Sequence, residues 1–207
     1  TTKRLLMRCI ATLCVATAFL VRAEDTDVAT QLAKLVADDA DHYDLFGTSV
    51  AISDGIAVVG SMRDTHNKGQ YSGSVYVFKM SSSNDESSWT QVAKLIPSNG
   101  AAYDYFGVSV AISDGTIVVG ARQDDDKGSD SGSVYVFEMS SPNDASSFTQ
   151  VAQLTADDGA ANDNFGVSVA ISDGTIVVGA NLDDDKDSDS GSVYLFEMSS
   201  PNDASSW

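Results

Sequence analysis

The sequence predicts an all-β chain, and three observations predict it. A block recurs in register, each copy divides into four short apolar segments, and turn signals separate those segments. Phe106 to Ala121 reads FGVSVAISDGTIVVGA, Phe165 to Ala180 repeats it letter for letter, and Phe46 to Ser61, FGTSVAISDGIAVVGS, is a diverged third copy. The copies begin 60 residues apart (46 to 106) and then 59 (106 to 165), a period that marks a repeat architecture. Four strands per repeat is the count of one propeller blade. The fold expected is therefore a β-propeller of four-stranded antiparallel blades, about 60 residues per repeat, present as an incomplete part of a larger ring.

Each element has its own reason. Thr30 to Leu35, TQLAKL, is a copy of the fourth strand with no blade before it, so residues 29–35 are expected to be a closing strand. In the second repeat Val108, Val110 and Ile112 alternate with Ser109 and Ala111, a period-two pattern that means a strand with one large and one small face. The small face suits a crowded position near a propeller axis. Ser113-Asp114-Gly115 closes a tight hairpin, because Asp-Gly supplies the positive φ angles such turns demand. Thr116 to Ala121 is continuously apolar and β-branched, which fits a strand covered on both faces. In Gly132 to Met139, Val134 and Val136 face one way and Tyr135, Phe137 and Met139 the other. The Pro142-Asn143-Asp144 loop leads to Phe148 to Leu154, FTQVAQL, matched by Trp89 to Leu95, WTQVAKL. The polar residues Gln153 and Lys94 suit an outermost strand with a protected edge. The blades expected are 46–97, 106–156 and a truncated 165–207; Trp207 aligns with Trp89 and Phe148 at the first residue of a fourth strand, so a longer reading frame is expected.

The pairing of Phe46-Gly47, Phe106-Gly107 and Phe165-Gly166 with Val119-Gly120-Ala121 and Val178-Gly179-Ala180 resembles the FG-GAP repeat of the integrin α-chain propeller. It looks most like the short variety found in large secreted and surface proteins of bacteria and algae, and it covers residues 29 to 207. The resemblance implies a propeller, often serving adhesion or ligand binding. In integrins a DxDxDG-type loop between the first two strands holds calcium. Here those positions are only Ser53-Asp54-Gly55, Ser113-Asp114-Gly115 and Ser172-Asp173-Gly174, too short for that cage, so the integrin site does not carry over.

Charge and the N-terminus bound the compartment. Residues 1–23 read as a secretory signal: Met7-Arg8 is a short basic start, Cys9 to Val21 an apolar run, and Val21-Arg22-Ala23 a tolerable cleavage site. The run is 13 residues, short of the roughly 20 that span a membrane. The alternative is a buried N-terminal helix of the mature domain. Both cysteines, Cys9 and Cys14, lie in this stretch, so no disulfide framework is expected downstream. No second apolar segment is long enough to span, and no N-glycosylation sequon occurs. All 30 acidic residues follow Ala23, while Lys3, Arg4, Arg8 and Arg22 precede it, so removing the segment takes the net charge from −18 to −22. Such a surface repels nucleic acid and attracts cations or basic partners.

The chemistry on offer is acidic. In the third repeat Asp183, Asp185, Asp187 and Asp189 alternate, and the second offers Asp124, Asp126 and Asp130 around Gly128. Calcium takes six to eight oxygen ligands, and alternating acids on a tight loop converge several carboxylates on one ion; the plain alternative is a solvated acidic loop. In the first repeat Arg63-Asp64-Thr65-His66-Asn67-Lys68 stands at that place and does not suit the same ion. His42 and His66 have no counterparts in the other repeats, so no Ser-His-Asp arrangement is expected, and Phe106, Tyr135, Phe137 and Phe148 read as core packing. The function expected is a secreted, non-catalytic binding or adhesion module for a protein or glycan ligand, with calcium as a candidate cofactor. A structural spacer of a wall or matrix and the propeller part of a larger secreted enzyme are the alternatives.

Overall fold

The computed structural model describes residues 29–82, 85–141 and 146–197. The signal reading of 1–23, the Pro142-Asn143-Asp144 loop and Trp207 lie outside them. Every regular element described is a strand. They form three antiparallel sheets within the compact unit Leu32–Trp207. Sheet 1 comprises β1 (Phe46–Ser53), β2 (Ile56–Ser61), β3 (Ser74–Ser82) and β4 (Asp85–Leu95) in that spatial order. Sheet 2 repeats the order with β5 (Ser109–Ser113), β6 (Thr116–Ala121), β7 (Ser133–Met139) and β8 (Phe148–Leu154). Sheet 3 has β9 (Phe165–Ser172), β10 (Thr175–Ala180) and β11 (Ser192–Glu197).

The turn chemistry expected from the sequence is the turn chemistry found. Asp54, Asp114 and Asp173 each take φ 49°, and Gly55, Gly115 and Gly174 take 72°, 78° and 74°, two successive positive angles that set the hairpins β1–β2, β5–β6 and β9–β10. The two faces of β7 divide as the alternation predicts. Tyr135 and Phe137 join Val75, Val77 and Leu95 of sheet 1, whereas Val134 and Val136 join Phe165, Ile176 and Val178 of sheet 3. Sheet 2 is thus covered on both sides.

The Phe-Gly pair makes the joint between sheets. Phe106 and Phe165 are fully buried and meet the tyrosine of their own third strand edge-on, with ring centroids 5.6 Å from Tyr135 and 5.4 Å from Tyr194. The glycine carbonyl that follows presses on the preceding sheet: a Cβ at Gly60 would lie 2.0 Å from the Gly107 carbonyl oxygen, and one at Gly120 would lie 1.9 Å from that of Gly166. The small-faced first strand contributes here, since Ser49 Oγ donates to Gly107 O at 2.8 Å and Ser109 Oγ to Gly166 O at 2.7 Å. A larger side chain on that face would hold the sheets apart.

One expectation meets a different outcome. Residues 29–37 take no strand, although Leu35 packs on the cluster of Ala37, Val59, Tyr76 and Phe78 as Leu95 and Leu154 pack beside the next sheet. None of the described strands takes this segment into its ladder. Lys94 and Gln153 do stand on the outermost strands β4 and β8, and their half-buried side chains reach the tyrosines of β3 and β7.

Candidate functional site

The three loops between second and third strands (62–73, 122–132, 181–191) are built on one frame. Each begins with a buried aspartate: Asp64, Asp124 and Asp183 are 5%, 3% and 4% exposed. A tyrosine of the third strand donates its hydroxyl to that carboxylate, Tyr76 to Asp64 Oδ2 at 3.2 Å, and Tyr135 to Asp124 Oδ2 and Tyr194 to Asp183 Oδ2 both at 2.6 Å. The other carboxylate oxygen accepts a loop amide, from Asp126 at 3.1 Å in the second loop and Asp185 at 3.0 Å in the third. The aspartate carbonyl closes the loop by accepting from Gly73, Gly132 or Gly191. A further aspartate, two residues before each Phe-Gly, caps the incoming chain: Asp44, Asp104 and Asp163 accept the amides of Asp41, Ala101 and Ala160, each at 2.6 Å.

What completes the frame differs from sheet to sheet. In sheet 1 the Lys94 ammonium lies 2.6 Å from Asp39 Oδ2 and 2.7 Å from Asp64 Oδ2, with the Tyr76 ring centroid 5.0 Å away. In sheet 2 amides replace the cation. Gln153 Nε2 donates to Asp126 and, at 3.2 Å, to the Tyr135 hydroxyl, and Asn99 Nδ2 donates to Asp126 at 3.3 Å. In sheet 3 the Tyr194 hydroxyl lies between two carboxylates, 2.6 Å from Asp183 and 3.1 Å from Asp158, and neither carboxylate has an ion pair among the described residues.

Burial and neighbours set the protonation. Burial pushes Asp104 up to about 6, and the nearby charges of Asp124, Asp125 and Asp126 add to the rise. Asp44, Asp124 and Asp163 are also raised, burial being the largest cause. Asp183 goes the other way, held down first by the hydrogen bond from Tyr194. Burial opposes the charge on Lys94, but its hydrogen bonds to Asp39, Asp64 and Tyr76 outweigh that and raise it. Tyr135 is raised by burial and then by Asp124, so the phenol stays a donor.

The sequence-predicted aspartates therefore fall into two groups. Asp124 and Asp183 are buried pieces of the frame, and Asp126 receives the amides of Asn99 and Gln153. Asp130 and Asp189 take positive φ of 54° and 51°, with their amides held by Asp125 Oδ1 at 2.8 Å and Asp184 Oδ1 at 2.7 Å. Asp187 accepts the amide of Ser188 at 2.9 Å, and Asp185, Asp187 and Asp189 are exposed. Among the described residues no group of three or more His, Cys, Asp or Glu side chains is set to hold a metal ion. In the first loop His66 Nε2 lies 2.8 Å from Gly73 O, and so the histidine fastens the loop. Reading from sequence missed the tyrosines, Asp39, Asn99 and Asp158, and the capping Asp44, Asp104 and Asp163. Their signal was available in part, since Asp recurs two residues before and 18 after the Phe of Phe-Gly in all three repeats, and Tyr follows it by 30, 29 and 29 residues.

A family model described as FG-GAP repeat matches residues 29–78, 89–137 and 148–196. Each matched unit runs from a fourth-strand segment through the third strand of the following sheet. No curated protein matches this chain. Among solved structures, the crystal structure of the computationally designed Ika4 protein is similar at 15% sequence identity and a TM-score of 0.36, over 82% of this chain and 99% of that one.

Proposed function

Because the chain belongs to the FG-GAP repeat family, we propose that its three sheets are propeller blades and that it serves as an extracellular, non-catalytic binding module. The observation that carries this reading is a constant frame bearing a variable rim. Asp64, Asp124 and Asp183 are equivalent and buried, yet the first is followed by Thr65-His66-Asn67-Lys68 where the other two are followed by Asp-Asp-Lys (125–127 and 184–186), and these two part only at Gly128 against Asp187. A spacer has no use for such variation on a fixed support, whereas recognition concentrates on loops carried by a rigid scaffold.

The exposed carboxylates favour a ligand with cationic groups, a basic protein segment before a neutral glycan. Binding of a lysine-rich peptide and of a neutral oligosaccharide is the test. Peptide binding that weakens with salt and is lost in the double variant Asp184→Asn, Asp185→Asn supports the reading; binding indifferent to both changes sinks it. Calcium support belongs to the same proposal, as weak association with the exposed Asp185, Asp187 and Asp189. It predicts a melting midpoint that rises with millimolar calcium beyond the effect of sodium at equal ionic strength. No such rise, or one that survives alanine at Asp183, Asp185 and Asp187 together, removes calcium from the account.

A further inference from the structure

We infer that the joint between sheets 1 and 2 bears a second binding site, a patch of arginines and tyrosines that takes an acidic segment of a partner protein. Its chemistry is the reverse of that of the acidic loops, so the site is additional to them. Arg63 and Arg122 are the two arginines among the described residues, and both stand at this joint. The Arg63 guanidinium lies over the Tyr71 ring, 5.5 Å from its centroid, and that of Arg122 over Tyr105 at 5.8 Å. The two rings stack with centroids 6.3 Å apart and planes 19° from parallel, and Tyr103 meets Tyr71 edge-on at 5.8 Å. Contacts thus run unbroken from one guanidinium to the other, and Tyr103 is 49% exposed beside them.

The joint does not need these side chains. The amides of Tyr103, Tyr105 and Phe106 donate to the carbonyls of Gln70, Tyr71 and Ser72 at 2.9, 3.3 and 3.0 Å, and in the joint of sheets 2 and 3 Asn162, Asn164 and Phe165 donate to Ser129, Asp130 and Ser131 at 2.8, 3.1 and 2.9 Å. The backbone contact is the same. Yet there Asn162 and Asn164 replace Tyr103 and Tyr105, Asp130 replaces Tyr71, and Gln123 and Asn181 replace Arg63 and Arg122. The cluster therefore sits on a joint that closes without it.

What the cluster lacks is a counter-charge. The chain has 30 acidic residues, yet neither arginine side chain has an ion pair or a hydrogen bond among the described residues, and the Nε of each is buried without a partner. Asp104, between Tyr103 and Tyr105 in sequence, turns its carboxylate to the Ala101 amide at 2.6 Å instead. A guanidinium pairs with a carboxylate through two parallel hydrogen bonds while its flat face stays on an aromatic ring, and arginine and tyrosine are the residues that anchor protein contacts. At −18 the chain repels polyanions such as nucleic acid, so the occupant that fits is a protein segment with a few carboxylates among apolar residues. At about 0.15 M salt, charges more than about 8 Å away are largely screened, and the two arginines decide.

The arginine Nε–H signals in a nitrogen NMR spectrum of the full chain test this, with chelator present and a peptide of alternating glutamate and tyrosine as the probe. The peptide is expected to shift the signals of both Arg63 and Arg122, and its glutamine counterpart to shift neither. Arg63→Gln or Arg122→Asn should raise the dissociation constant roughly tenfold. Each brings in the residue type that another repeat holds at that place, so an unchanged melting midpoint is expected. Tyr103→Asn, at the exposed ring, should weaken binding as well and serves where an arginine variant melts early. A lysine-rich peptide should leave both signals in place, so this site and the acidic loops stand or fail separately. No shift with the acidic peptide, equal binding of the glutamine version, affinity indifferent to the substitutions, a shift produced by raising the chain's own concentration, or tighter binding of an oligogalacturonate overturns the inference.

Discussion

A single carboxylate shows how the repeats reuse one position for different electrostatics. Asp64, Asp124 and Asp183 have the same tyrosine donor, but a lysine, a pair of amides and a second aspartate respectively complete the surroundings. Removing the lysine leaves a carboxylate that is 5% exposed without its counter-charge. Lys94→Met is therefore expected to lower stability by about 3 kcal/mol in urea unfolding, and adding Asp64→Asn should recover most of the loss. Tyr135→Phe should cost about 1–3 kcal/mol, since Asp124 keeps its burial and loses a donor. Asp104 gives the pH test. Its folded pKa of about 6 lies above the 3.8 usual for an aspartate, so the folded chain binds the proton more tightly. The stability it contributes is complete below about pH 4 and is lost as pH rises through 6; Asp104→Asn should flatten that part of the curve, read by urea melts between pH 4 and 7.5. Asp183, held low, runs oppositely and loses its contribution as pH falls.

At the scale of elements, the strands and turns were legible because their causes are local. Asp-Gly fixes two positive φ angles whatever surrounds it, and the period-two alternation of Val108 to Ile112 or Val134 to Phe137 assigns faces without knowledge of the neighbour. What Lys94 does was not legible, because its partners Asp39 and Asp64 lie 55 and 30 positions back and the strand pattern reads the same for an edge residue. Alternation in sequence likewise says nothing of which aspartate of a loop turns under it to meet a tyrosine, as Asp124 and Asp183 do. The glycines of the sheet joint were visible only as motif letters, and their need is steric. Gly120→Ala would set a Cβ 1.9 Å from the Gly166 carbonyl oxygen and should destabilise by about 3 kcal/mol, whereas Gly179→Ala should be nearly neutral within one chain.

At the scale of the whole molecule, each of the three described sheets borrows its cover from the next. Sheet 2 is closed on both faces, while β1 and β11 carry the exposed Val50, Ile52, Val193 and Leu195. In such an array stability depends on nearest-neighbour joints, so local opening should follow position in it. Amide hydrogen exchange resolved along the full chain tests this most directly. Slowest exchange in β6 and β7, with β11 faster although its sequence nearly repeats that of β7, and β1 faster than its counterpart β5, is the expected result. Equal protection of β7 and β11, or faster exchange in β7, would contradict the packing of repeats through their Phe-Gly joints.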